Sequence, residues 1–128
     1  DHRDLHSFPT RRSSDLLYIV DVASKQSRRL TYKGSENVNP DWSPKGRIVY
    51  ATKRGGYQIA TIDPRAGEGS CELLTPAGDY EHPSWAPDSR HVVCSSRSTL
   101  YILDTLGDPA VRLINLAGNW ISPDWSGR

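Results

Sequence analysis

Three segments of the 128-residue chain repeat one another: NPDWSPKG at 39–46, HPSWAPDS at 82–89 and SPDWSG at 122–127. Their tryptophans, Trp42, Trp85 and Trp125, lie 43 and 40 residues apart. A second set of copies keeps the same spacing. LYIVD at 17–21, QIATID at 58–63 and LYILD at 100–104 place Asp21, Asp63 and Asp104 at intervals of 42 and 41. A third set, RRLT at 28–31, ELLT at 72–75 and VRLI at 111–114, follows in the same order. A fixed period of this length means one supersecondary unit repeated side by side, because a single unit cannot bury its own apolar faces.

Each unit reads as four short strands, A to D. Strand A runs into the tryptophan, and a Pro-Lys-Gly or Pro-Asp-Ser turn follows, with Pro fixing φ and Gly46 free to take a left-handed position. Strand B is RIVYATK or HVVCSS, strand C is QIATI or LYIL, and strand D ends in Leu-Thr or Leu-Ile. The B and C runs are almost continuously apolar, the mark of strands covered on both faces. Ten glycines and nine prolines spread along the chain leave few windows for a helix. The expected fold is therefore all-β: a partial β-propeller of two complete four-stranded antiparallel blades plus parts of two others. Trp42 and Trp85 are expected to fill the wedge between blades. Trp120 lies outside the repeat and is the aromatic expected to be most exposed.

Composition excludes several functions. A formal net charge of +1 is far from the strongly basic balance of an electrostatic nucleic-acid binder. No apolar run approaches the roughly 18–20 residues that span a bilayer, so direct membrane insertion is not expected. The densest group of potential ligands, Asp79, Glu81, His82, Asp88 and His91, lacks a His-x-His or His-x3-His spacing, and no metal or other cofactor is expected. Neither a Gly-x-Ser-x-Gly elbow nor a phosphate loop occurs, and GEGSC at 67–71 has the wrong order. Asp21, Asp63 and Asp104 each end strand C, where a carboxylate caps the backbone amides of the following turn. Cys71 and Cys94 fall on strands D and B of neighbouring blades and are expected to be free thiols. An enzyme is not expected.

Residues 1–16, DHRDLHSFPTRRSSDL, share none of this periodicity. They resemble a translated sequencing adapter rather than any protein family. The segment is expected to be a disordered, unpacked head carrying no functional residue, with the propeller domain spanning 17–128.

RRLTYKGSENVNPDWSPKGRI at 28–48, with GGYQI downstream, resembles the TolB-type propeller family, the periplasmic component of the Tol–Pal envelope system. The family pattern is Leu-Thr, a polar Gly-Ser-rich loop, Pro-x-Trp-Ser-Pro and a β-hairpin, and its chain ends on a lone Pro-x-Trp-Ser strand, as here at SPDWSGR. The resemblance implies a non-catalytic, periplasmic protein-binding module whose partner is a Pal-like lipoprotein. It places partner contacts in the loops before strand A: Asn37, Val38 and Asn39; Tyr80, Glu81 and His82; Trp120, Ile121 and Ser122. Peptidase propellers of the prolyl-oligopeptidase class share Pro-x-Trp-Ser-Pro repeats and give the alternative reading, a serine-peptidase propeller without its hydrolase domain. A stand-alone sugar- or metal-binding propeller is a third.

Overall fold

The computed structural model describes residues 7–11, 16–33, 36–107, 111–114 and 123–125. Three antiparallel sheets hold about half of them, and turns and loops the rest. The first complete blade is β4 (Asn37–Trp42), β5 (Ile48–Lys53), β6 (Tyr57–Ile62) and β7 (Glu72–Leu73), paired in chain order. The second is β8 (Tyr80–Trp85), β9 (His91–Ser96), β10 (Thr99–Asp104) and β11 (Val111–Ile114), again in chain order. The partial sheet before them holds β1 (Ser7–Arg11), β2 (Leu17–Asp21) and β3 (Ser27–Arg29). The A-to-D reading of the repeat is the observed topology.

One apolar layer fills each seam between sheets. Leu17, Ile19 and Leu30 of the partial sheet meet Trp42, Ile48, Tyr50, Ala60 and Ile62 of the first blade. The other side of that blade presents Val38, Val49, Ala51, Ile59 and Leu74 to Trp85, Val92, Cys94 and Leu103 of the second. Strands β5 and β6 thus supply both seams, which explains their unbroken apolar runs. Both tryptophans fill seams as expected.

The Leu-Thr motif closes strand D onto strand C in two sheets by the same device. The amides of Leu30 and Leu74 donate to the carbonyls of Leu17 and Ile59, at 2.8 and 2.7 Å. The next residue's hydroxyl returns the bond: Leu17 N–H donates to Thr31 Oγ1 and Ile59 N–H to Thr75 Oγ1, each at 3.0 Å. A side chain here completes a ladder that the backbone leaves short, so the Leu17 and Ile59 amides keep an acceptor.

One expectation is corrected. The head was expected to be unpacked, yet Ser7–Arg11 pairs antiparallel with β2 over five residues, Ser7↔Asp21 to Arg11↔Leu17. The edge of β2 carries backbone donors and acceptors that any nearby extended segment can satisfy. Residues 1–6 and 12–15 lie outside the described residues. Of the last repeat, expected to be a lone strand A, Pro123–Trp125 are described and lie outside any ladder. They dock on β8 through side chains instead: Ser84 Oγ donates to Asp124 Oδ1 at 2.6 Å and Trp125 Nε1 to Ser84 O at 3.0 Å.

Candidate functional site

The residues ahead of each tryptophan depart from regular strand geometry in the same way. In β4 the register with β5 shifts between Val38 and Asp41, and in β8 the register with β9 shifts between Glu81 and Ser84. The bulged residues, Asn39 and His82, take positive φ angles of 54° and 55°. Asn and His tolerate this region better than most side chains, and a β-bulge re-aims the side chain it carries. The chain therefore turns one polar side chain out of strand A in each blade, at the same place in the repeat.

Strand A of one blade is stapled to strand A of the next. Trp85 Nε1 donates to Asp41 O at 3.1 Å, and Trp85 N–H donates to Asp41 Oδ2 at 2.8 Å. The bond from Trp125 to Ser84 O repeats the first of these one blade later. These staples bring three copies of the Pro-x-Trp segment together around a groove of about 320 Å³, lined by Asn39, Pro40, Asp41, His82, Pro83, Ser84, Pro123 and Asp124.

The chemistry of the groove is that of a recognition surface. Three prolines form rigid apolar rungs. Hydrogen bonds from the Ser84 hydroxyl and the Trp125 amide hold the Asp124 carboxyl below its usual range, so it is ionised at neutral pH. Asn39 is exposed, and His82 is half-buried with Nδ1 enclosed and, among the described residues, without a hydrogen-bond partner. The hydroxyl of Ser84 is committed to Asp124 and holds the seam. Among the described residues no group of three or more His, Cys, Asp or Glu side chains could hold a metal ion, and no helix is long and apolar enough to cross a membrane.

The residues expected to make partner contacts separate into three groups. Asn39 and His82 line the groove. Asn37 and Val38 are buried. Asn37 Oδ1 accepts from Thr52 Oγ1 at 2.8 Å while its Nδ2 donates to Lys33 O at 3.1 Å, and Val38 joins the seam. Their expected contact role is corrected to one of holding strand A, because side chains enclosed this way offer a partner no surface. Tyr80 also packs inward, edge to face with Tyr101 at 5.2 Å, and burial raises its hydroxyl pKa above 10.0. Glu81 is half-buried beside the groove. Trp120, Ile121 and Ser122 lie outside the described residues. The groove's other lining residues, Pro40, Asp41, Pro83, Ser84, Pro123 and Asp124, are the Pro-x pairs of the motif itself. Their signal was present in the repeat, but it reads equally well as strand scaffold.

Both cysteines are free. Cys94 lies in the seam, where burial pushes its thiol up to about 12. Cys71 sits 3.3 Å from the Tyr50 hydroxyl.

Comparison with known proteins gives one consistent picture. The family model described as the TolB beta propeller domain matches residues 1–128. The Tol-Pal system protein TolB of Xanthomonas campestris is 28% identical over 112 residues, covering 83% of this chain and 26% of that relative. Its counterpart in Xanthomonas oryzae is 27% identical over the same length. The chain thus spans about a quarter of the curated relatives it matches. Among solved structures, TolB from Acinetobacter baumannii superposes with a TM-score of 0.73 at 26% identity, over 94% of this chain and 32% of that one. Dihydro-heme d1 dehydrogenase NirN superposes with a TM-score of 0.67 at 21% identity, over 92% of this chain and 25% of its own, and shares the fold alone.

Proposed function

Because this chain belongs to the TolB beta propeller family, we propose that it is a non-catalytic protein-binding module of the Tol–Pal cell-envelope system that docks a Pal-like lipoprotein in the periplasm. In this reading residues 17–128 are the propeller module and residues 1–16 an addition to it. The partner lies across the groove where strands A converge, and Asn39, His82 and the Pro40 and Pro123 rungs meet it. The observation that carries the reading is the repeated bulge. Two successive blades hold a polar residue at positive φ beside one groove, and strained backbone of this kind concentrates at binding sites. Rigid blades presenting irregular segments are a common arrangement for recognition. The curated relatives carry the Tol-Pal name, which favours this reading over the peptidase alternative.

The test is surface plasmon resonance of the full chain against the soluble domain of a Pal-type lipoprotein. The pair Asn39→Ala and His82→Ala is expected to weaken binding at least about ten-fold, while Arg65→Ala, in a turn between strands C and D, leaves it unchanged. Absent binding, or equal binding by the double variant, would refute the assignment.

A further inference from the structure

Asp41 is the residue at which strand A of the first complete blade regains its register after the bulge, paired with Val49. In the second blade Ser84 and Trp85 do the same, paired with Val93 and Val92. β8 ends its sheet and pairs with β9. Amides along a strand point alternately to its two sides, and the Ala86 amide points to β9, donating to His91 O at 2.8 Å. The Trp85 amide therefore faces the open edge of the blade, where no β9 carbonyl reaches it. Asp41 answers it from the neighbouring blade. Its Oδ2 accepts from the Trp85 amide at 2.8 Å, and its carbonyl accepts from the Trp85 indole at 3.1 Å. Two bonds between the same two residues fix both the distance and the tilt of the strands, and the carboxylate makes the shorter one charge-assisted.

The next junction is built differently. Ser84 stands where Asp41 stands in the repeat, and its carbonyl accepts from Trp125 Nε1 at 3.0 Å. The Trp125 amide turns instead to its own Asp124 Oδ1 at 2.8 Å. Among the described residues, the carboxylate-to-amide clamp is thus confined to the junction that carries the bulged residues, Asn39 two before Asp41 and His82 three before Trp85. We propose that Asp41 is a positioning residue of the groove: its carboxylate, through the Trp85 amide, holds Asn39 and His82 at the spacing that a partner protein meets. A pre-set spacing removes part of the ordering cost of binding. The role in binding rests on the groove being the partner surface; the role in spacing does not.

The experiment compares the full chain with Asp41→Ala and Asp41→Asn by amide exchange, by 15N–1H shifts and by surface plasmon resonance against the soluble domain of a Pal-type lipoprotein. Asn keeps an oxygen of the same reach for the Trp85 amide, and Ala has none. The Trp85 amide is expected to lose protection in Asp41→Ala and to keep it in Asp41→Asn, with the Asn39 and His82 amide shifts moving only in the former. Binding is expected to weaken about five- to ten-fold in Asp41→Ala, the effect of one or so net hydrogen bonds, and to stay within about two-fold in Asp41→Asn. Thr75→Val, which acts at the outer strand, is expected to leave binding unchanged, separating positioning from loss of stability. Trp85 protection or bulge shifts untouched by Asp41→Ala would overturn the clamp. Parental binding by Asp41→Ala, or equal weakening by Asp41→Asn, would overturn the positioning role, the second by marking direct contact of the charge with the partner. A parent chain that binds no lipoprotein domain refutes the partner assignment alone, and the protection and shifts still decide the clamp.

Discussion

The two complete blades derive from one repeat, yet they are finished differently at their outer strand and at their turns. In the first, β7 has only two residues, and the Thr75 hydroxyl and carbonyl extend it by binding the Ile59 amide and the Gln58 side chain. In the second, Leu-Thr becomes Leu-Ile, and β11 runs for four residues with Ile114 paired directly to Leu100. The arginine that follows the A–B turn diverges too. Arg47 binds Thr61 Oγ1 at 3.0 Å and Ser70 O at 2.9 Å, neutral partners, with Glu72 at 3.4 Å. Its counterpart Arg90 makes a two-bond fork to the Asp104 carboxylate, at 2.8 and 2.7 Å, with His91 and Asp88 alongside. The B–C turns differ as well: Gly55 supplies the positive φ in the first blade, while Arg97 and Ser98 both carry it in the second. What stays constant is the tryptophan seam. Contacts between blades are therefore what the repeat preserves, and the closure of each blade is free to vary.

The seam gives the largest expected effect. Trp85→Ala removes a buried ring between the two complete blades together with its bond to Asp41 O, and should cost about 3–5 kcal/mol in denaturant unfolding followed by circular dichroism. Trp42→Ala should cost a similar amount for its ring, since Trp42 is also buried, but its indole bonds Gly46 O within its own blade at 2.9 Å. A cost for Trp85→Ala near zero would break the claim that the seam is the shared element. Thr75→Val sharpens the contrast at the outer strand. It leaves the buried Ile59 amide without an acceptor and should destabilise by about 1–3 kcal/mol in the same assay. Near-neutrality would show that the hydroxyl does not substitute for the missing ladder.

The smallest effect is in pH. Asp88, capped by the His91 amide and bonded to its ring at 2.6 Å, has its pKa lowered from 3.8 to about 2. A carboxyl lowered by folding contributes stability that is complete above the unfolded value and is lost as pH falls through the folded one. The second blade's A–B turn should therefore loosen between about pH 4 and pH 2. The group is half-exposed, so the loss is small. Carboxyl 13C shifts should show the Asp88 midpoint at about 2, rising toward 3.8 in His91→Ala; an unchanged midpoint in the variant would show that the imidazole and its ring bond are dispensable.

Strand order, the two complete blades and the seam tryptophans were legible because spacing encodes them: a period of 40 to 43 residues with doubly apolar B and C strands admits few other solutions. The groove was half legible. The repeat points to the residues before each proline, but strand alternation cannot say which of Asn37, Val38 and Asn39 faces outward, because a bulge resets the alternation. Asn37 looks like a loop residue in the sequence and is fully buried in the fold. Its partner Thr52 lies 15 residues away on the next strand.

The β1–β2 pairing was not legible at all. Hydrogen bonding to a strand edge depends on backbone availability rather than on side-chain pattern. By itself, then, the sequence determined the repeating unit, its four strands and the family to which they belong, since these follow from local periodicity. Tertiary structure alone decided which polar groups reach the groove, which carboxylates pair with arginine, and what covers the free edge of β2. Each of those depends on distances between residues that the chain brings together only after the blades have packed.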